Sequence, residues 1–285
     1  MTESLFFIGA GAAGGSLAVS LYRAGSPVEG IIEPDPRTQS RINRALSTDL
    51  CRREYGDIEK ASVVFLAVPD PHIEAAAQAY APHAGRHQTW FHLSGALSTA
   101  ALHPVIESVG NVGAFHPAQV FPPQQITPIP AGTHFGVSGS PGAVEVARRL
   151  VRRLDSILVE IPDAARPLYH AASVMASNAV VGLVAAARDL LVAEGVSEVE
   201  AESLLVRLAG TAIRSAQTLG LDDALSGPIQ RGDEMMVIRH LDALAPHPDE
   251  ARLYRVVGEA IARLAEKSGR TRREQLRAIL SRLKT

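Results

Sequence analysis

The fold of this chain follows from the stretch Leu5-Phe-Phe-Ile-Gly-Ala-Gly-Ala-Ala-Gly-Gly-Ser-Leu-Ala-Val-Ser-Leu-Tyr-Arg-Ala-Gly25. Its first four residues are apolar and predict a buried strand, and the Ala/Leu/Val run after Gly14 has helical period. Between the two, Gly9, Gly11 and Gly14 stand at GxGxxG spacing. In this arrangement the first glycine makes a tight turn, the second lets a pyrophosphate approach the backbone, and the third lets the helix pack closely on the strand. Free N–H groups at the helix N-terminus favour an anion, so the stretch predicts a dinucleotide site.

A second predicted strand, Val28–Glu33, follows the motif by about 20 residues, which is the context that a dinucleotide site requires. Glu33 ends this strand, where its carboxylate would accept hydrogen bonds from both ribose hydroxyls and would repel a 2′-phosphate. We therefore expect NAD rather than NADP as the cofactor. Arg37 and Arg41 lie just downstream and favour the opposite choice.

Composition excludes several classes of protein. The 285 residues are enough for two domains, and a net charge of −2 favours neither a nucleic acid nor an anionic membrane as partner. The one cysteine, Cys51, excludes an intramolecular disulfide framework and suits a buried position in a reducing compartment. Because there is no signal-peptide pattern and no uninterrupted apolar run of membrane-spanning length, we expect a cytoplasmic protein without a membrane partner. The ten histidines form no metal-binding motif, so no metal is expected.

Strand and helix signals alternate up to Ile161 and predict a parallel sheet covered by helices on both faces, in a Rossmann-type α/β domain of residues 1–162. The stretch Pro162–Pro167 marks a boundary, because strand signals stop there. Residues 163–285 are predicted to form an all-α domain. Its expected helices are Leu168–Glu194, Ser197–Leu219, Asp233–Leu244, Glu250–Lys267 and Arg272–Leu283.

The first of these helices is apolar around much of its circumference, with Val174, Val180, Val181 and Leu183 on different sides. Such a helix suits the centre of a bundle or a dimer interface. Because a few short neighbouring helices cannot easily cover it, we expect a homodimer built on the helical domain.

Ligands of an open parallel sheet lie beyond the carboxyl ends of its strands, where polar residues follow three predicted strands. Val68 and Pro69 can pack beside a nicotinamide ring, and Ser94 can reach the ring amide or a substrate oxygen. His116 and Gln119 follow the next strand, and His116 is either a site residue or a structural hydrogen-bond partner. The predicted cofactor contacts are therefore Gly9, Ala10, Gly11, Ala12, Ala13, Gly14, Glu33, Val68, Pro69 and Ser94, and the predicted substrate contacts in this half are Ser94 and Gln119.

The strongest signal in the second half is Tyr169-His-Ala-Ala-Ser-Val-Met-Ala-Ser-Asn178. His170 and Asn178 stand at i and i+8, on one face of a continuous helix. Burying such side chains is costly without partners, so they either satisfy each other or face a polar pocket. We predict that His170, or else His116 or Ser94, is the acid that neutralises the oxygen formed by hydride addition, and that Asn178 holds the substrate or a water.

A second polar patch is the loop Ala224-Leu-Ser-Gly-Pro-Ile-Gln-Arg-Gly-Asp233. Arg231 would bind an anionic group of the substrate or the cofactor. Asp233 would orient Arg231, or would only cap the next helix.

Together these motifs resemble the Rossmann-like oxidoreductases whose C-terminal half is a helical domain of unknown function. These are relatives of ketopantoate reductase, pyrroline-5-carboxylate reductase and the 6-phosphogluconate dehydrogenase superfamily. The resemblance covers nearly the whole chain and implies hydride transfer between a nicotinamide cofactor and a small carbonyl or imine substrate. It is carried by Gly9-Ala-Gly-Ala-Ala-Gly14, Val68-Pro-Asp70, His92-Leu-Ser-Gly-Ala96, His116-Pro-Ala-Gln-Val-Phe121, Tyr169-His-Ala-Ala172, Ala176-Ser-Asn178 and Gly227-Pro-Ile-Gln-Arg-Gly-Asp233.

Two departures from the relatives bear on function. In ketopantoate reductases a catalytic lysine opens the first long helix of the second domain and asparagines follow on the same face; the resemblance places His170 at the lysine position and Val174 and Asn178 at the asparagine positions. The family often has Ser-Arg-Ser after its second strand, a sequence that suits NADP. This chain has Glu33-Pro-Asp35 at that place. Without the lysine, two alternatives stay open. One is a non-catalytic dinucleotide-sensing protein whose helical domain binds a partner, and the other is a structural dimer that has lost its cofactor.

Overall fold

The computed structural model describes residues 3–52, 58–123 and 125–284, with the side chain of Arg52 outside the description. Contacts divide the chain into two compact units, Met1–Ser177 and Asn178–Thr285. The first unit contains the sheet and the second is helical. The predicted fold class, a Rossmann-type α/β domain followed by an all-α region, is confirmed.

Within the described residues, the first unit contains an eight-stranded sheet of order β3-β2-β1-β4-β5-β6-β7-β8. The two-residue strand β3 was not predicted from the sequence. The strands are β1 (Leu5–Ile8), β2 (Val28–Ile32), β3 (Cys51–Arg52), β4 (Val63–Leu66), β5 (Thr89–His92), β6 (Asn111–Pro117), β7 (His134–Gly139) and β8 (Ile157–Glu160). The helices of this unit are α1 (Ala12–Arg23), α2 (Pro36–Leu46), α3 (Ile73–Tyr80), α4 (Pro141–Arg153) and α5 (Arg166–Ala176).

The expectation of a wholly parallel sheet is wrong at one pair, because β7 runs antiparallel to β6. A parallel return needs a crossover connection, usually a helix, and the described part of residues 118–133 contains none. Strand β8 is again parallel to β7, with α4 as the crossover between them. The last two strands therefore run opposite to the first six.

A row of phenylalanines crosses one face of the sheet from strand to strand. Phe7 stacks on Phe65 at 4.9 Å between ring centroids, and Phe65 stacks on Phe91 at 5.6 Å. Phe115 and Phe135 continue the row at 5.5 and 4.9 Å. Aromatic pairs at these separations add to the free energy of burial. The row fixes the relative positions of the central strands, whose carboxyl ends carry the predicted site residues.

The glycine-rich turn packs against the end of β4. Gly9 has φ +85°, and a Cβ there would lie 2.9 Å from the carbonyl of Ala67. A Cβ on Gly14 would lie 2.5 Å from the Cβ of Ala67. The space beside Gly11 is open, with nothing within 4 Å of the corresponding position. The structure thus gives the three glycines the turn, close-packing and open-approach geometries that the motif requires.

The second unit consists of helices within its described residues, which end at Lys284. They are α6 (Asn178–Ala193), α7 (Glu198–Leu219), α8 (Leu221–Ala224), α9 (Pro228–Arg231), α10 (Glu234–Ala243), α11 (Pro248–Ser268) and α12 (Arg273–Lys284). Ser197 caps α7 and accepts a hydrogen bond from the Glu200 N–H at 3.3 Å. The core of this unit lies among α9–α12, around Ile229, Val237 and Ile279.

The predicted single helix Leu168–Glu194 is wrong, because the backbone leaves helical geometry at Ser177 (φ −123°, ψ −79°). The hydroxyls of Ser173 and Ser177 donate to the carbonyls four residues earlier, at 2.9 and 2.7 Å. Such bonds compete with the helical ladder and bend helices. The compact first unit accordingly runs to Ser177, beyond the predicted domain boundary at 162/163 where strands give way to helices; the boundary itself stays a prediction.

One segment of the described chain, Asp163–Ala193, is long and apolar enough to cross a membrane by length and composition, and none of its most apolar window is buried. The sequence analysis found no uninterrupted apolar run of this length. The difference arises because mean hydropathy tolerates the isolated polar residues that interrupt the apolar run. Length and composition alone do not distinguish a span from an interface helix.

The close contact between Gly14 and Ala67 can be tested by substitution. Gly14→Ala should destabilise the first unit by about 1–3 kcal/mol, because the added methyl group overlaps Ala67. Gly182 also lies inside a helix, with nothing within 4 Å of its Cβ position, so Gly182→Ala should stabilise by about 0.5–1 kcal/mol through helix propensity. Denaturant unfolding followed by circular dichroism measures both. Equal effects of the same sign would contradict the packing described here.

Candidate functional site

The first part of the site is the turn between β1 and α1. Helix α1 begins directly after Gly11, so its first N–H groups are open at the N-terminus. Val68, predicted as a cofactor contact, lies against this turn, since its Cγ1 is 2.9 Å from the Cβ position of Gly9. Pro69 follows Val68 and is exposed. The turn therefore has a geometry that could hold an anion, with Val68 beside it. Cofactor binding by residues 9–14 stays a prediction.

Glu33 has a role that the sequence did not predict. Its side chain is 7 % exposed, and its carboxylate oxygens accept hydrogen bonds from the N–H groups of Ala10 (2.9 Å) and Asp35 (3.0 Å). Glu33 therefore ties the glycine turn to the end of β2. The expectation of NAD was based on a carboxylate that accepts from the ribose hydroxyls; here each oxygen already accepts one backbone hydrogen bond, and the choice of NAD stays a prediction.

A basic cavity of about 330 Å³ opens beside the glycine turn, lined by Gly11, Ala12, Asp35, Arg37, Thr38, Arg41 and Ile126. Asp35 caps α2 and accepts hydrogen bonds from the N–H groups of Arg37 and Thr38 and from the Thr38 hydroxyl. Arg41 donates to the Thr38 hydroxyl at 3.2 Å. The wall of this cavity thus carries the guanidinium groups of Arg37 and Arg41 and one carboxylate, that of the N-cap residue Asp35, so its net charge is positive.

The second part of the site lies at the carboxyl ends of β4 and β5. The Ser94 hydroxyl donates to Asp70 at 2.6 Å and accepts from the N–H groups of Ala96 (3.1 Å) and Leu97 (3.0 Å). Ser94 is 5 % exposed. Its hydroxyl shapes the loop around Gly95, and its one proton is already donated to Asp70, which leaves no donor for the predicted ring amide or substrate oxygen.

Two histidines converge on Gly95. A Cβ at residue 95 would lie 2.5 Å from Nδ1 of His170 and 3.0 Å from Nε2 of His116. The His170 Nδ1 atom is buried and has no hydrogen-bond partner among the described residues. The ring centroids of the two histidines are 6.1 Å apart. The structure therefore brings together the two histidines that the sequence analysis singled out separately, above a residue that has no side chain.

His116 is held by Tyr169, whose hydroxyl is hydrogen-bonded to Nδ1 at 2.8 Å. This bond leaves Nε2, the nitrogen nearer Gly95, for a ligand. Burial, and then the nearby guanidinium of Arg166, lower the pKa of His116 to about 4. The same two causes lower the pKa of buried His92 to about 4. Both imidazoles are therefore uncharged at neutral pH, so His116 can donate or accept a hydrogen bond there but cannot act as an imidazolium acid.

The other predicted site residues are Gln119 in the first unit and three residues of the second unit. Gln119 accepts a hydrogen bond from the Thr133 hydroxyl at 3.4 Å, on the connection between β6 and β7. Asn178, Arg231 and Asp233 belong to the second compact unit. The predicted continuous face from His170 to Asn178 is interrupted at Ser177. Asp233 caps α10 by accepting from the Met236 N–H at 3.0 Å, which is the structural alternative that its sequence context offered.

Sequence reasoning missed two residues that shape the site. Tyr169 was part of a quoted motif but received no role, although a tyrosine next to His170 was a usable signal. Arg166 lies in the stretch taken for a linker, and it is completely buried. Among the described residues no group of three metal-ligating side chains could hold a metal ion. Cys51 is buried, which raises the pKa of its thiol to about 12 and makes it unreactive.

Three solved structures are similar to this chain over nearly its whole length. A protein from Bacteroides fragilis described as an NADP oxidoreductase is 20 % identical, with 91 % of this chain and 98 % of that chain covered and a TM-score of 0.71. A protein from Thermotoga maritima is 21 % identical, with coverages of 92 % and 98 % and a TM-score of 0.72. A 1-pyrroline-5-carboxylate reductase from Streptococcus pyogenes is 16 % identical, with coverages of 94 % and 98 % and a TM-score of 0.62. At these identities the likeness establishes the fold.

Family profiles match both halves of the sequence. The family described as NADP oxidoreductase, coenzyme F420-dependent, matches residues 4–89, which include the glycine turn and α2. A domain of unknown function, DUF2520, matches residues 133–261, which include Arg166, Tyr169 and His170. No curated protein matches the chain significantly. The first match is to a pyridine-nucleotide-dependent oxidoreductase family and the second is to a domain of unknown function, so together they indicate a Rossmann-like oxidoreductase with this domain in its C-terminal half.

Proposed function

We propose that the protein transfers a hydride between NADP(H) and a small carbonyl or imine substrate, with His170 as the proton donor of the reduction. The observation that carries this proposal is the buried, unpartnered Nδ1 of His170 beside Nε2 of His116 above Gly95. A buried polar atom without a partner costs free energy unless a ligand satisfies it. The carboxyl ends of the strands, where these atoms lie, are where open α/β sheets bind ligands.

The cofactor, when bound, supplies or accepts the hydride. Hydride addition leaves negative charge on the carbonyl oxygen or amine nitrogen, and that charge needs a positioned donor. His170 would give the proton, and the neutral ring of His116, fixed by Tyr169, would hydrogen-bond the same atom through Nε2. The absence of a side chain at Gly95 lets both rings lie close against the loop after β5.

The choice of NADP follows from the basic cavity beside the glycine turn. Arg37 and Arg41 line it together with Thr38, and a ribose 2′-phosphate is an anion that paired guanidinium groups bind well. Asp35 is the opposing charge on the wall, and the hydrogen bonds that it accepts as N-cap hold it in place. NADP also agrees with the match of residues 4–89 to an NADP oxidoreductase family.

Cofactor binding is tested by fluorescence titration with NADPH and NADH. Arg37→Ala should weaken NADPH by about 10–100-fold, because a charge-assisted hydrogen bond is lost, and should change NADH by less than about threefold. The matched control is Arg44→Ala, on the same helix but not on the wall of this cavity. Gly11→Val should abolish binding of both nucleotides while the circular dichroism spectrum is unchanged, since the space it fills is open. Tighter binding of NADH than NADPH by the unaltered protein would contradict the choice of NADP.

Catalysis is tested by screening 2-keto acids, aldehydes and cyclic imines for NADPH oxidation. With an active substrate, His170→Ala should lower kcat by about 10²–10⁴-fold, the usual loss for a general acid, with the NADPH affinity nearly unchanged. The control is His103→Ala, at an exposed histidine. A kcat within about threefold of the unaltered enzyme, far below that range, would make His170 structural. A protein that binds NADPH but oxidises it with none of these compounds would contradict the substrate class and favour the non-catalytic sensor.

We also propose that the protein is a homodimer built on α6 and α7. Among their described residues, α6 has no buried residue and α7 has only Ala201. Val181 is 71 % and Val199 is 81 % exposed. An apolar cavity of about 300 Å³ between α6 and α9–α11 leaves α6 open on that side as well. Apolar surface of this extent marks an interface, and isologous dimers are the commonest form of one.

A second copy is a better cover for this surface than a membrane. Helix α7 carries Glu198, Glu202, Arg207 and Arg214, and α6 contains the charged pair Arg188 and Asp189. Charged groups are expensive in a bilayer core but ordinary at the rim of a protein interface.

Light scattering at micromolar concentration tests the dimer. The unaltered protein should have twice the chain mass of 30.2 kDa, and Val181→Glu and Val199→Glu should shift it toward monomer because each buries a charge in the interface. Val120→Glu, at a residue 69 % exposed in the first unit, is the matched control and should stay dimeric. A monomeric unaltered protein, or one that cosediments with lipid vesicles, would contradict the proposal.

A further inference from the structure

Arg166 is a charged residue of the first unit that is completely buried. It opens α5, is 0 % exposed, and has no acidic group within ion-pair distance among the described residues. Its guanidinium donates to the carbonyl oxygen of Ser94 at 2.5 Å, to the Ser138 hydroxyl at 3.1 Å, and to the carbonyl of Gly136 at 3.5 Å. Because burying a charge is costly, a completely buried arginine bound to neutral acceptors calls for a physical explanation.

The contacts of Arg166 surround the two histidines. Ser94 immediately precedes Gly95, the residue on which both rings converge. On the other side, the guanidinium carbon is 5.7 Å from the ring centre of Tyr169, the residue that holds His116. Tyr169 and His170 lie one turn after Arg166 on α5. One side chain therefore fixes the helix that carries Tyr169 and His170 to the loop that they face.

Arg166 also acts through its charge. The groups that face His116 are Arg166, Tyr169 and His170 from α5, Asp70 from the loop after β4, and His92 from β5. After burial, the positive charge of Arg166 is the largest cause that keeps His116 unprotonated. An uncharged His116 keeps one nitrogen bonded to Tyr169 and offers the other to a ligand, whereas a charged ring would be a donor at both.

We propose that Arg166 is a positioning residue of this site, which aligns the Tyr169–His116 pair with the loop at Gly95 without contacting the ligand. The proposal rests on the proposed function for its effect on turnover, but its effect on His116 can be measured without a substrate. Misplacement of catalytic groups by about 1 Å can cost on the order of 100-fold in rate. Arg166 therefore matters for the reaction although it is out of reach of a bound molecule.

The test compares Arg166→Met, which removes the charge, with Arg166→Lys, which keeps the charge but loses the planar fork. Histidine ring resonances, assigned to His116 with His116→Gln, are followed by NMR from pH 3.5 to 8. In Arg166→Met the pKa of His116 should rise from about 4 toward its ordinary 6.5, by about one unit or more; in Arg166→Lys it should stay low. With an active substrate, kcat should fall by about 10–100-fold in both variants, with NADPH affinity within about threefold.

The control is Arg153→Met, which removes a partly buried arginine of the first unit that binds Glu3 and Ser26 instead of the loop at Gly95. It should lower the unfolding free energy but leave the His116 titration unchanged. An unchanged His116 pKa in Arg166→Met overturns the proposal. If Arg166→Met does not fold, Arg166→Lys decides, because an unaltered kcat in that variant also overturns it. A shifted His116 pKa together with an active His170→Ala enzyme would instead refute the proposed proton donor and leave the positioning role of Arg166 intact.

Discussion

The close approach of α1 to the end of β4 is the constraint on which the rest of the first unit depends. Gly14 lies so near Ala67 that no larger residue fits between helix and sheet. This contact places the N-terminus of α1 directly beyond the central strands, where its open N–H groups can meet an anion. Glu33 completes the arrangement, because its carboxylate binds the turn from the side of β2. The anion cradle is thus a consequence of packing, and it is preformed in the described structure.

The second part of the site, around Gly95, is held together by different interactions. There most of the polar groups are wholly or partly buried, and hydrogen bonds rather than apolar contacts determine their positions: Asp70 holds Ser94, Tyr169 holds His116, and Arg166 on α5 binds the loop after β5 and strand β7. Networks of this kind are costly when incomplete. Three buried nitrogens of this network have no hydrogen-bond partner among the described residues: Nδ1 of His170, Nδ1 of His92 and Nε of Arg166. Of these, Nδ1 of His170 lies beside Nε2 of His116 at Gly95, where the proton donor is proposed.

Local patterns in the sequence were enough to predict the fold class and the glycine turn, since strand, turn and helix are adjacent in the chain at residues 5–25. They were not enough for features set by distant contacts. The direction of β7 depends on how a long connection returns to the sheet. The structural role of Glu33 depends on the backbone N–H of Ala10, 23 positions earlier. The break at Ser177 had a local signal, two serines four residues apart, whose bonds to the backbone are visible only in the structure.

The candidate site was predictable in part for the same reason. His116 and His170 were identified because polar residues at strand ends and on apolar helices are conspicuous, but their convergence needed the β5–β6 and α5 geometry. Arg166 was overlooked because it lies between two prolines of an apparent linker, where a charged residue is normally exposed. Its burial follows from acceptors contributed by β7 and by the loop after β5, more than twenty residues away in sequence in each case.

The proposed function requires that the glycine turn and the histidine cluster belong to one cofactor-dependent site. Backbone amide NMR of uniformly ¹⁵N-labelled protein during titration with NADP⁺ tests it most directly, because it needs no substrate and reports on every amide separately. If the two parts form one site, the amides of Gly9, Gly11 and Gly14 should show saturable shifts together with those of Gly95 and His116. Shifts confined to residues 178–285, or none at residues 9–14, would contradict it.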